Sequence, residues 1–254
     1  MGRLFTGWII LGLSLGVGVA ADEPKSVVLR WHGQSFFDLQ TSKGTRIVFD
    51  PHAIEAFGRP TGVKADLILL SHNHNDHTQV GVVENYQKAK IVTGLKPVGK
   101  KLDWNIVDQK FKDVRIRSVG VYHDTEQGLK RGKNTVFIVE ADGMRIVHLG
   151  DLGHVLDDQQ VKAIGEVDVL LIPVGGVYTL NGSDAKQVVE QLKPTKYIIP
   201  MHYGTKGFDD LLPVDEFLED QKKENVKRYE LTNKLVIESD FKPKEPIIAV
   251  LNWK

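Results

Sequence analysis

A four-layer αββα sandwich of the α/β class is predicted by three features of the sequence. Short runs rich in β-branched residues alternate with turn residues, helix-compatible segments interrupt them, and both recur in each half of the chain. This pattern fits the sandwich better than an all-parallel doubly wound sheet.

The chain opens on a targeting pattern. Arg3 precedes an apolar run from Trp8 to Val19, and Gly18-Val19-Ala20 or Val19-Ala20-Ala21 offers small residues for cleavage. The run is shorter than the roughly 20 apolar residues of a spanning helix. The expectation is therefore a signal peptide over 1–21, a mature domain over 22–254, export to the periplasm or beyond, and no stable membrane span after cleavage.

Strands are expected at Ser26–Arg30, Ser35–Gln40, Arg46–Asp50 and Leu67–Leu70, with Lys43-Gly44 turning one pair. Thr78–Gln87 is expected to be a helix, which places the segment between it and Leu70 on a strand-to-helix loop. Further strands are expected at Ile91–Thr93, Asn105–Val107, Val114–Val121, Thr135–Ala141, Arg145–Leu149, Val167–Pro173 and Tyr197–Pro200. Asp142-Gly143 signals a hairpin, and helices are expected at Ser183–Leu192 and Pro213–Lys222.

Lys+Arg and Asp+Glu both total 33, so no basic face is forced by composition, and nucleic acid is not the expected partner. There is no cysteine, which excludes a thiolate nucleophile and any thiolate metal ligand. A metal would have to be held by imidazole and carboxylate.

That chemistry is concentrated in one place. His72-x-His74-x-Asp76-His77 sets three imidazoles and one carboxylate within six residues, directly after an apolar strand. Burying all four as core would demand a separate partner for each. On a tight loop they can turn into a common cavity, and the donor set suits zinc, manganese or iron.

The cluster resembles the metal-binding motif of the metallo-β-lactamase superfamily, which has the form His-x-His-x-Asp-His. That resemblance implies that His72 and His74 serve one metal, and Asp76 and His77 a second. It also implies a third histidine for the first site, a bridging aspartate and a last histidine for the second, each at the end of a later strand. His123, Asp151 and His202 stand in those places and in that order. Phe49-Asp50-Pro51, Ile172–Gly176 and Ile199–Thr205 further resemble the branch that contains ascorbate-6-phosphate lactonase. Gly33-Gln34-Ser35 departs from that branch, where a histidine often follows the glycine.

The resemblance implies a metal-dependent hydrolase with two divalent ions, zinc by default, sharing a bridging water. Asp151 would bridge the ions, and Asp76 would orient the nucleophile or pass its proton to the leaving group. A lactone, an ester or a phosphodiester fits such a centre, with a small molecule as substrate. A β-lactamase and a non-enzymatic metal-binding or recognition module are the alternatives on the same fold. A diiron redox protein is disfavoured by His74, where such relatives usually carry glutamate.

The other histidines stay outside the ligand set. His148 is expected to support a ligand or pack in the core, while His32, His52 and His154 line the pocket or lie on the surface. Asp50 either orients a ligand histidine or caps the turn before Pro51. Gly150 is expected to let the backbone turn so that Asp151 reaches the metals. The segment Asp124–Asn134, with Lys130, Arg131 and Lys133, is either a flap that attracts an anionic substrate or a solvated loop.

Overall fold

The computed structural model describes residues 1–2 and 25–254, so nearly all of the expected leader at 1–21 lies outside the described residues. Among the described residues no helix is long and apolar enough to cross a membrane.

The first half lays down β1 (Ser26–Trp31), β2 (Phe37–Gln40), β3 (Arg46–Phe49), β4 (Leu67–Leu70) and β5 (Lys90–Thr93), followed by a hairpin of β6 (Leu95–Val98) and β7 (Lys101–Trp104). The second half adds β8 (Asp108–Phe111), β9 (Val114–Tyr122), β10 (Lys133–Ala141), β11 (Met144–His148), β12 (Val169–Pro173) and β13 (Tyr197–Met201). Near the C-terminus come β14 (Val226–Tyr229), β15 (Lys234–Glu238) and β16 (Ile247–Leu251). Helices are α1 (Asp158–Ile164), α2 (Gly182–Leu192) and α3 (Asp215–Leu218).

Two mixed sheets result, in the orders β15-β1-β2-β3-β4-β5 and β14-β16-β13-β12-β11-β10-β9-β8. Alternation decides which face goes inward. On β1, Val27, Leu29 and Trp31 are buried while the residues between them are partly open. The inward residues of both sheets share one core, including Trp31, Phe37, Phe49, Phe137 and Ile146. Val188 and Leu192 of α2 join the core from the far side of the second sheet. The sandwich is therefore as expected, with one layer built differently.

Thr78–Gln87 does not form the expected helix. It carries two 3₁₀ turns, Val80–Val82 and Tyr86–Lys88, neither with a side-chain cap. Gly81 beside Val80, Val82 and Val83 combines the poorest helix formers short of proline with χ1-restricted residues. The segment instead drops Val82 and Val83 onto Val48, Ile68 and Leu70, covering the outer face of the first sheet.

Asn105–Val107 is a connection rather than a strand, and Val107 spends its N–H on the Ser118 hydroxyl at 2.7 Å. Of Pro213–Lys222 only the turn Asp215–Leu218 is helical: Glu219 leaves the helical conformation at a ψ of 135°, and Asp220 follows with a left-handed φ of 65°. The Asp142-Gly143 hairpin forms with φ of 50° and 78°, the left-handed pair its tight turn requires.

Candidate metal centre

Every residue of the expected site stands just beyond a strand end. Asp50 follows β3, the cluster from His72 to His77 follows β4, His123 follows β9, Asp151 lies three residues past β11 and His202 follows β13. Strand ends of both sheets converge here, so residues up to 152 apart in sequence come to one centre (Asp50 and His202). Such ends are where a chain can turn side chains inward without losing ladder hydrogen bonds.

Two triads of possible ligand atoms form. His72, His74 and His123 make one, and Asp76, His77 and His202 the other, each with its donor atoms within 4.8 Å of one another. Asp151 stands between them: its Oδ2 is 3.1 Å from His77 Nε2, 3.2 Å from both His123 Nε2 and His202 Nε2, and 3.9 Å from His72 Nε2. The structure thus gathers all seven expected residues. A third grouping, Asp50 with His72 and His77, has a different meaning given by its hydrogen bonds.

Asp50, held at a φ of 43°, receives the Ser71 amide at 2.7 Å and the Ser71 hydroxyl at 2.5 Å. It also accepts from His77 Nδ1 at 3.0 Å. The Ser71 hydroxyl has a single proton, already given to Asp50, so it accepts from His72 Nδ1 at 2.9 Å. One carboxylate therefore places the proton on Nδ1 in a histidine of each triad, leaving both Nε2 atoms as lone pairs facing inward. Those Nε2 atoms are buried without a hydrogen-bond partner.

A buried carboxylate oxygen surrounded by imidazole lone pairs is a donor set with nothing to donate to, and it fits a cation. The carboxylates around His77 favour positive charge at this place, which a proton supplies when no cation is bound. Burial resists charge on His77, yet the carboxylates of Asp151, Asp50 and Asp76 pull its pKa well above the ordinary histidine range. Burial, reinforced by the neighbouring His77, holds His72 well below that range and so neutral.

Two further hydrogen bonds tune Asp151, and Gly150 and His148 shape the chain around it. Ser35 Oγ donates to its Oδ1 at 3.1 Å, and its own N–H donates to Asn134 Oδ1 at 3.2 Å. Gly150 has a φ of 54°, and a Cβ there would stand 2.5 Å from Asn134 Oδ1 and 2.7 Å from Ser71 Cβ. His148 accepts from Gly150 N–H at 3.1 Å and donates to Ser35 carbonyl at 2.9 Å, stacked on Phe49 at 5.0 Å. It clamps both strands of chain that flank Asp151, and burial keeps it neutral. Nothing local in the sequence marks Ser35 or Ser71, because their partners lie 116 and 21 residues away.

None of the other histidines enters a triad. His32 pairs with Asp38 at 2.8 Å, and His154 accepts from the Tyr122 amide at 3.1 Å. His52 donates to the carbonyls of His32 and Gly33, and burial lowers its pKa to about 4. In the unfolded chain it titrates near 6.5, so between those values the unfolded state binds a proton that the folded state refuses. The stability this contributes is complete above pH 6.5 and is lost as pH falls toward 4, about 3 kcal/mol in all. Urea denaturation of metal-free protein should show the gap between wild type and His52→Asn shrinking across that window. A gap independent of pH would contradict the assignment.

The segment Asp124–Asn134 folds around Asp124, whose carboxylate accepts the amides of Glu126, Gly128, Lys130 and Arg131. Lys130 pairs with Glu126, and Lys133 pairs with Asp103 at 2.6 Å while lying 4.2 Å from the Trp104 ring. Arg131 has no carboxylate partner among the described residues; it donates to Val177 carbonyl at 3.0 Å and sits 5.1 Å from the Tyr178 ring.

The family described as the beta-lactamase superfamily domain matches residues 28–202. A UPF0173 metal-dependent hydrolase of Thermococcus onnurineus is 31% identical over 195 residues, which are 70% of this chain and 85% of that protein. A second, from Pyrococcus furiosus, is 33% identical over 194 residues, 68% of this chain and 83% of its own. Among solved structures, a Thermotoga maritima protein described as a Zn-dependent hydrolase of the metallo-β-lactamase superfamily is 36% identical. It aligns over 89% of this chain and 98% of its own with a TM-score of 0.67. Igni18, a metallo hydrolase of Ignicoccus hospitalis, shares the fold at 20% identity, 84% and 99% coverage and a TM-score of 0.59.

Proposed function

The chain belongs to the beta-lactamase superfamily domain family and is a metal-dependent hydrolase, and from that premise we propose that it works with two divalent ions, zinc by default, on a lactone, ester or phosphodiester. His72, His74 and His123 would hold one ion, Asp76, His77 and His202 the other, and Asp151 would bridge them. The observation that carries this reading is the place of Asp151 Oδ2, 3.1 to 3.2 Å from His77, His123 and His202 and so between the triads. Imidazole and carboxylate without thiolate support zinc and also accept manganese or iron.

Ions held there would supply Lewis-acid polarisation of the bond under attack and acidify water. The residues do the rest. Asp50 and Ser71 fix the tautomers of His77 and His72. Ser35 and His148 keep Asp151 aimed between the triads. Asp76 is the most open of the carboxylates, with 38% of its side chain accessible against 3% for Asp151. That exposure lets it orient the attacking water and carry its proton to the leaving group. The segments Phe49–Pro51, Ile172–Gly176 and Ile199–Thr205 support a lactone or ester of the ascorbate-6-phosphate lactonase-like kind. The pattern of Arg3 and Trp8–Val19 supports export.

Metal content tests the proposal. Protein dialysed against zinc and then desalted is expected to retain two equivalents by mass spectrometry. His72→Ala and His202→Ala, one from each triad, are each expected to retain about one. A wild type that keeps no metal after reconstitution would sink the two-ion mechanism.

A further inference from the structure

We propose that the loops bordering the metal centre form an apolar rim that seats an acyl or alkyl chain of the substrate. This rests on the hydrolase reading above and narrows it to substrates that join a cleavable bond to such a chain.

Three loops build the rim, and each touches a residue of the site. The first runs from His123 to β10 and is closed by His123 N–H donating to Gly132 carbonyl at 3.0 Å. The second, after β12, lies against His202: Gly175 N–H donates to the His202 carbonyl at 3.1 Å. A Cβ on Gly175 would stand 2.2 Å from that oxygen. The third follows His202 and returns through Leu212, whose N–H donates to Gly175 carbonyl at 2.9 Å. Arg131 ties the first loop to the second through Val177 carbonyl.

These loops expose polar side chains, among them Glu126, Lys130, Lys206, Asp209 and Asp210, and four large apolar ones. Leu129 is 85% exposed, Val177 53%, Tyr178 48% and Leu212 47%. Single exposed apolar residues need no explanation, but four on three loops that hydrogen-bond to one another and to the site call for one. Leu212 packs under the second loop, with Cδ1 3.1 Å from where a Gly176 Cβ would be. Arg131 supports Tyr178 from one side at 5.1 Å.

The backbone gives the independent argument. Val177 has a φ of 55°, a left-handed conformation that a β-branched residue enters only at a cost. Glycine would take that state freely, and just over half of the Val177 side chain lies open to solvent. A valine held in this conformation is accounted for if its side chain contacts a ligand. The occupant follows from continuity with the centre: a substrate whose polar bond lies at the ions extends its remaining part along Val177, Tyr178 and Leu129.

Binding of straight-chain carboxylates from acetate to decanoate to the zinc-loaded full chain, followed by titration calorimetry, tests this without turnover. Dissociation constants are expected to fall about two- to four-fold per added methylene. Val177→Gly, which relieves the backbone, and Leu129→Ser, which changes an open position, should flatten that dependence without lowering the melting temperature. Leu231→Ser, 98% exposed and outside the three loops, should leave it unchanged. Carboxylates that bind with no chain-length dependence would overturn the rim and leave the hydrolase reading standing. Should the protein retain no zinc, the hydrolase mechanism fails, and the same series run with alkanols decides the rim alone by the same slope. Sedimentation with phosphatidylglycerol vesicles that Leu129→Ser abolishes, without any slope for soluble chains, would also overturn the proposal in favour of a membrane surface.

Discussion

Asp151→Ala is expected to release both ions and to reduce turnover by roughly 10⁴-fold. The size follows from position. Asp151 Oδ2 lies 3.1 to 3.2 Å from the inward nitrogens of His77, His123 and His202, and no other carboxylate among the described residues faces both triads at such range. Removing it leaves five imidazoles and Asp76 to hold two cations with no anion between them. It also deprives Ser35 Oγ of its acceptor, a buried loss of about 1–3 kcal/mol. Metal analysis, circular dichroism melts and turnover of an ester on which the wild type is active would read the three effects separately. A variant that kept two ions and wild-type turnover would remove Asp151 from the centre.

The second large effect is expected from Asp50, which touches no substrate in this scheme. Asp50→Ala would free His77 Nδ1, the Ser71 amide and the Ser71 hydroxyl together, and through that hydroxyl it would release His72. Both triads would then carry a histidine free to rotate or change tautomer. Zinc affinity is expected to weaken about 10–100-fold, with a stability loss of several kcal/mol because buried donors lose their acceptor. Competition with a chromogenic chelator measures the first. Asp50→Asn separates the two roles: it can still accept a hydrogen bond and fill the space, so it should recover much of the stability and less of the affinity. Equal affinity in all three proteins would mean that Asp50 is only the turn residue before Pro51.

The site was more legible in the sequence than the layers around it, for a physical reason. Four of its seven side chains sit on a single turn, so their grouping is local and shows as His72-x-His74-x-Asp76-His77. His123, Asp151 and His202 were placed through the family resemblance, each just past a strand where the chain leaves the sheet. Ser35 and Ser71 carry no such signal, since a serine becomes a brace only once folding brings Asp151 or Asp50 within reach. Elements failed for the same contrast between local and distant causes. Val80–Val82 turned 3₁₀ because packing on Ile68 and Leu70 rewards two adjacent valines rather than a helical stripe. The C-terminal strands β14, β15 and β16 were not anticipated, and β15 owes its place to β1, more than 200 residues earlier in the chain. The one local sign overlooked was Asp157 with Gln160, whose mutual hydrogen bonds of 2.8 and 3.0 Å open α1.

The division of ligands between the two sheets has a mechanical consequence. The cluster after β4 belongs to one sheet, while His123, Asp151 and His202 belong to the other. Any ion gripped by both is a rivet through the seam, in a chain that has no cysteine to sew it covalently. Its holding power is the binding free energy, which grows with the logarithm of free ion concentration. Metal supply would then govern how firmly the two leaves of the molecule stay closed as well as how fast it works, and scarcity would lower its resistance to heat and denaturant.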